Sequence, residues 1–228
     1  MTPTLVRVGR YARVLGAVSM LMLLAACAAT PYDYTAFKKS RPTSMLILPP
    51  VNESPDIKAT PAVLAQATLP LAEAGYYVLP VTLVDDTFRE NGVTTPADIH
   101  ELPLPKLREI FGADAAVYLR VKKYGTSFQL ISSETLVVVE GRIVDLRTGA
   151  LLWNGSAAAS SNEGQSSNQG GLVGMLVKAV INQIVNTTTD ASFKYANLAN
   201  QRLLGGGRVN GVLYGPRSPN YQKDQQPN

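Results

Sequence analysis

"TLVVVEGRIVDLRTGALLWNGSAAA", residues 135–159, alternates its side chains over two runs and breaks the pattern once, at Arg147-Thr148-Gly149. Thr135, Val137, Val139, Gly141 and Ile143 share one face with period two, and Leu151 and Trp153 resume the alternation after the break. Two such runs joined by a short polar turn define an antiparallel hairpin. Gly149 is where the turn needs a positive φ, which glycine adopts without a Cβ penalty.

The segments upstream supply the rest of a sheet. "SMLILPP", residues 44–50, is a short apolar run stopped by two prolines, and it suits a buried strand. Thr60-Pro61 reads as a helix start, with Thr as N-cap and Pro at the first helical position. Val63, Leu64, Ala67, Leu71 and Ala74 then keep to one face as far as Gly75, the C-terminal stop. "YYVLP", residues 76–80, is the next strand. Strand, helix and strand within about thirty residues predict a crossover and a parallel pair. A second helical region comes in two pieces, Leu83 to Asn91 before Gly92, and Pro103 or Pro105 to Phe111 before Gly112. "AAVYLRVKKYG", residues 115–125, returns to strand alternation.

Beyond the hairpin, the small polar residues 160–171 read as a loop. In the helix after it, Val173, Leu176, Val177, Val180, Ile181 and Ile184 recur at helical spacing. That stripe is wide enough to cover the sheet and to contribute a homodimer face. Phe193, Ala196, Ala199 and Leu203 continue a helical face to Gly205-Gly206-Gly207, and the polar, proline-rich residues 215–228 read as a disordered tail. The fold class expected is α/β, a mixed β-sheet flanked by helices, with a prominent hairpin and C-terminal helices.

The amino terminus carries an address. Arg7, Arg10 and Arg13 precede an apolar run from Val14 to Leu24, and the small residues Ala25 and Ala26 precede Cys27, the one cysteine among 228 residues. That is the layout of a secretory signal peptide. The run is shorter than the ~18 apolar residues a membrane-spanning helix needs. Leu24-Ala25-Ala26-Cys27 resembles the lipobox of bacterial lipoproteins, in which the cysteine is acylated and the signal is cut before it. The organisation expected is a signal peptide over residues 1–26, a lipidated tether over 27–42, one α/β domain over 43–214 and the tail. Several acyl chains at one end exceed the marginal affinity of a single chain, so the anchor is effectively permanent. Ala28, where an Asp would retain such a lipoprotein inside, implies the outer membrane by the same resemblance, with the body in the periplasm.

"VDLRTGALLWNGSA", residues 144–157, resembles the Asp-x-x-Thr-Gly-x-x-x-Trp hairpin of envelope lipoproteins with folds related to the TolB amino-terminal domain and the curli secretion protein CsgG. Asp145, Thr148, Gly149 and Trp153 match it. Together with "MLILPPVNES", residues 45–54, and the lipobox, the chain resembles a family of bacterial lipoproteins of uncharacterised function from neisserial and other proteobacterial envelopes. The likeness runs from about Tyr34 to Gly215. Asp145 and Trp153 have two readings, shaping the hairpin or meeting a partner.

Catalytic and cofactor chemistry find no support. His100 is the sole histidine and reads as a surface residue, Ser156 lacks the Gly-x-Ser-x-Gly elbow, and Asp85-Asp86 read as acids at a helix start. No cofactor or metal is implied. Of the 21 Lys and Arg residues three leave with the signal while all 17 acids stay, so the mature charge is +1 and the pI of 9.2 belongs to the precursor. No nucleic acid partner is expected, because Lys38-Lys39 and Lys122-Lys123 are too sparse for a basic patch.

The expected role is a non-enzymatic accessory or scaffold lipoprotein of an export or assembly system. Its partners would be the membrane, through the lipid, and other envelope proteins, among them a CsgG-like lipoprotein. The alternative is a subunit of a CsgG-like secretion pore, with "TSFQLISSETLVVV", residues 126–139, as the candidate membrane hairpin; an envelope hydrolase stands a distant third. Mass analysis of the mature amino terminus is expected to find acylated Cys27 with nothing before it. Cys27→Ser is expected to move the protein out of the membrane fraction.

Overall fold

Strand β4 (Ala115–Phe128) is the pivot of the fold, since it is paired along both edges in opposite senses. The computed structural model describes residues 32–128, 133–163 and 191–224. On one edge of β4 lie β1 (Ser44–Ile47) and β2 (Val51–Asn52), both parallel to it. Pro49 and Pro50 separate these two strands because they have no N–H for the ladder. The chain stays on the edge of β4, with Leu48 N–H donating to Val117 O and Glu53 N–H to Val121 O, but its register slips by one residue across the diproline, from Ile47 opposite Val117 to Val51 opposite Arg120. On the other edge β5 (Ser133–Asp145) runs antiparallel, from the pair Ala115 and Asp145 to the pair Phe128 and Ser133.

β3 (Tyr77–Val78) pairs parallel with β1, and β6 (Leu151–Ser160) pairs antiparallel with β5. The six strands form one mixed sheet in the order β3-β1-β4-β5-β6, with β2 also on β4. This is the mixed α/β architecture expected, including the parallel β1–β3 pair.

The helices divide between the two faces. α1 (Thr35–Ser40) packs beside β6, while α2 (Ala59–Glu73) and α6 (Ala191–Leu204) pack on each other, and α6 lies against β5 and β6. On the opposite face α3 (Val81–Glu90), α4 (Pro96–His100) and α5 (Leu104–Phe111) enclose a second core. Leu46, Leu48, Val84, Phe88, Ile99 and Leu107 belong to it.

Several local expectations shift by a residue or two. α2 begins at Ala59, and Thr60 is no cap: its Oγ1 donates to Pro50 O at 3.0 Å, so it ties the helix to the diproline. Leu151 is 49% exposed, whereas Leu152 and Trp153 are both buried. The cause is a bulge, because Ile143 pairs with Trp153 and Val144 with Leu151, leaving Leu152 as the extra residue. Phe193 is exposed, and Ser192, Ala196, Ala199 and Leu203 make the buried stripe of α6. Residues 126–128 end β4 and pair with 133–135 in β5. α4, a single turn with Thr95 as N-cap, was not expected at all.

Two boundaries are also corrected. Within the span expected as tether, residues 35–40 are helical, and Tyr34 and Phe37 are buried. Within the expected tail, Gly215 N–H donates to Ala74 O at 2.7 Å and Arg217 N–H to Gly75 O at 3.1 Å, while Asp224 Oδ1 accepts from Tyr214 N–H at 2.9 Å. Composition counts apolar side chains and misses a segment held by backbone hydrogen bonds. The enabling residue is Gly75, with φ +98°, which ends α2 in a left-handed turn where Tyr76 N–H donates to Leu71 O.

A Cβ at Gly75 would lie 2.4 Å from Ser218 N, whereas one at Gly92, with φ +79°, meets nothing within 4 Å. Gly75→Ala is therefore expected to destabilise by about 2 to 4 kcal/mol, combining backbone strain and overpacking. Gly92→Ala should show only the strain, about 1 kcal/mol. Thermal denaturation of the two variants checks the difference.

Candidate functional site

Of the hairpin residues that carry the family motif, Asp145 and Trp153 turn inward, while Thr148 and Gly149 form the exposed turn. Asp145 is 2% exposed, and its Oδ1 accepts from Arg147 N–H and Thr148 N–H, both at 2.8 Å. These bonds close the turn in which Gly149, at φ +75°, donates its N–H to Asp145 O. Oδ2 accepts from Ser40 Oγ at the end of α1. Burial works to raise the Asp145 pKa, but the bonds from Ser40, Thr148 and Arg147 outweigh it and hold the carboxyl below its ordinary range.

Trp153 is also buried, and its Nε1–H donates to Asn210 O at 2.9 Å. Gly155 makes room for the ring, since a Cβ there would fall 2.4 Å from Trp153 Cζ2. Of the two readings of Asp145 and Trp153, the geometry supports the one in which they shape the hairpin.

His100 is half-buried and held in place, not free on the surface. Its Nε2–H donates to Pro49 O at 3.0 Å, and its ring meets Tyr118 edge-on with centroids 5.1 Å apart. Burial lowers its pKa to about 4; the hydrogen bond to Pro49 opposes that shift and the charges of Arg142 and Arg120 add to it. The imidazole is neutral at physiological pH and acts as a strut between α4 and the diproline. Asp85 sits inside α3, where its Oδ2 accepts from Arg89 Nε at 2.8 Å, an i,i+4 pair in place of the acid at a helix start. Ser156 lies exposed on β6.

Among the described residues two concavities stand out. A polar one of about 430 Å³ lies over β4, β5 and β6 beside His100. An apolar one of about 450 Å³ lies at the β3 edge of the sheet, lined by Tyr77, Leu79, Leu83, Val84 and Phe111. Sequence reasoning singled out neither. Among the described residues no group of His, Cys, Asp or Glu is placed to hold a metal, and no helix is long and apolar enough to cross a membrane. Cys27 and the stripe Val173, Leu176, Val177, Val180, Ile181 and Ile184 lie outside the described residues.

A mixed-sheet α/β body whose signature hairpin is folded inward, behind a lipobox, defines a class of envelope lipoprotein. The chain belongs to the family described as "Putative lipoprotein GNA1162-like", which matches residues 32–217. It is 47% identical over 203 residues to "Putative lipoprotein NMB1124/NMB1162" of Neisseria meningitidis serogroup B, covering 88% of this chain and 94% of that one. The crystal structure of lipoprotein GNA1162 from Neisseria meningitidis is similar at 50% identity and a TM-score of 0.51, over 64% of this chain and 99% of that chain. The LpoB C-terminal domain from Salmonella enterica is matched at 15% identity and a TM-score of 0.38, over 51% of this chain and 82% of that chain, too distant to carry function. Membership of a lipoprotein family implies a lipid-anchored place in the cell envelope.

The neutral His100 has a measurable consequence. Between its ordinary pKa of 6.5 and about 4 the unfolded chain binds a proton that the folded chain does not, so stability falls as the pH drops through that window. Asp114 and Asp145, both depressed, lose their contributions only below the ordinary carboxylate pKa of 3.8. His100→Gln is expected to flatten the decline between those pH values and leave the steeper acid limb in place. Urea denaturation across the range reads both.

Proposed function

We propose that the protein is a non-enzymatic accessory or scaffold lipoprotein, anchored through Cys27 to the outer membrane with its body in the periplasm, that docks envelope proteins in an export or assembly system. The observation that carries this reading is the open edge of the sheet at β3. There Tyr77 is 47% and Leu83 64% exposed beside the apolar concavity, and among the described residues β3 is paired on one side alone. An unpaired strand edge next to apolar pockets is the geometry that accepts an extended segment of a partner. Self-association through Val173, Leu176, Val177, Val180, Ile181 and Ile184 belongs to the same proposal, as does a fold relation to the TolB amino-terminal domain and CsgG.

The accessory reading is favoured over a CsgG-like pore because α6 covers β5 and β6, and the inward side chains of β5 from Thr135 to Ile143 are buried. A membrane wall needs one face of such a hairpin turned to lipid.

The test is a photo-crosslinking residue placed singly at Leu83, at Ile181 and, as control, at Lys106 in the full-length protein in living cells. Position 83 is expected to trap a second envelope protein and position 181 a second copy of this chain, with Lys106 trapping neither. Equal yields at all three positions, or none at 83, would overturn the docking reading.

A further inference from the structure

The helical layer of α3, α4 and α5 ends at His100, and past it the same face of β4, β5 and β6 carries a polar cavity of about 430 Å³. The pairing decides what lines its floor. Tyr118 lies opposite Arg142 and Arg142 opposite Asn154, while Arg120 lies opposite Glu140 and Glu140 opposite Ser156. Six polar side chains, two from each strand, therefore share one face.

These groups are not equivalent. Arg120 Nη1 donates to Glu53 Oε1 at 2.5 Å, and Lys122 pairs with the same carboxylate, so both cations are engaged. Arg142 is different. Its guanidinium carbon lies 4.4 Å from the centroid of the Tyr118 ring, and among the described residues no carboxylate lies within salt-bridge distance of it. The Tyr118 ring is set edge-on by His100, which the bond to Pro49 O fixes in turn. Arg142 is thus a cation seated over an oriented aromatic platform, among the residues that line the cavity. A stacked guanidinium keeps its in-plane N–H pairs for a bidentate acceptor.

We propose that this cavity binds the free carboxyl terminus of a peptide, with Arg142 as the bidentate anchor and the Ser156 hydroxyl as a flanking donor. Glu140 gives the site its selectivity. A carboxylate on the same floor repels a compact dianion such as phosphate, yet it accepts from the amide N–H that accompanies a peptide carboxylate two atoms away. The cavity and the β3 groove are separate surfaces, so either can fail without the other.

The experiment is an amide-resolved nuclear magnetic resonance titration of the full-length mature protein in detergent micelles. The probes are N-acetyl-alanyl-alanine, its carboxyl-terminal amide and inorganic phosphate. The acid is expected to shift the amides of Tyr118, Arg142 and Asn154 saturably; its amide, which lacks the charge-assisted pair, and phosphate, which Glu140 repels, should each bind about tenfold or more weakly. Arg142→Gln should cost about the same factor, and Arg142→Lys, which keeps the charge without the fork, should recover only part of it. Glu140→Gln should narrow the gap between phosphate and the acid. Equal affinity for the acid and its amide, phosphate binding as tightly as the acid, or unchanged binding by Arg142→Gln would each overturn the proposal. Should Arg142→Gln not fold, the probe series on the unmodified protein and the Arg142→Lys variant decide it.

Discussion

The structure depends on one strand being paired in two senses. β4 meets β1 and β2 in parallel along one edge and β5 antiparallel along the other. A central strand must satisfy every backbone donor and acceptor on both edges, and little freedom is left to its neighbours. The parallel side needs a crossover, which α2 supplies on the way from β1 to β3, whereas the antiparallel side needs only a turn. β4 continues well past β1, and that excess length gives β5 and β6 a platform beyond the helical layer of α3 to α5.

Asp145 ties the amino-terminal end of the body to this sheet. Its partner across the ladder is Ala115, at the start of β4, and its carboxylate takes two N–H groups of the hairpin turn and the Ser40 hydroxyl of α1. An ionised carboxylate can be buried when its acceptor capacity is filled in this way. α1 is further secured by the burial of Phe37, and just before it the Tyr34 hydroxyl donates to Gly211 O. Through Asp145 and Trp153 the Asp-x-x-Thr-Gly-x-x-x-Trp pattern is thus an internal joint that holds α1, the turn and residues 210–211 together.

The two faces of the sheet differ for a simple reason. Gly141 lets α6 approach closely, for a Cβ there would lie 3.2 Å from the Leu203 side chain and 3.3 Å from that of Leu119. One side of β4, β5 and β6 is accordingly sealed by small and apolar residues. The other side is sealed only as far as Val144 and Tyr118, after which the layer stops and the exposed residues are charged or polar. Polar groups on a strand face need water or a ligand, so the concavity beside His100 is where the fold offers chemistry.

Much of this was legible along the chain. Period two in residues 135–143 gave the buried face of β5, the spacing from Ser44 to Val78 gave the parallel crossover, and Gly149 marked the turn, because each signal depends on residues near one another in sequence. The lipobox at Cys27 is also local. Register is not: a bulge of one residue reverses which side chains face inward, and alternation alone cannot locate it. Hence alternation puts Leu151 and Trp153 on one face, whereas the bulge buries Leu152 beside Trp153 and leaves Leu151 exposed. For the same reason Tyr118, Arg142 and Asn154, on three different strands, carried no common signal until pairing aligned them. Residues 215–224 looked unable to bury anything because their attachment runs largely through backbone groups, with the polar Asp224 side chain closing it on Tyr214 N–H. By itself the sequence determined the main strands, the crossover helix and the family motif, all short-range patterns of side-chain type. Which polar residues stand together on the open face was decided by the tertiary structure alone, since only strand register and the end of a helical layer bring them into one cavity.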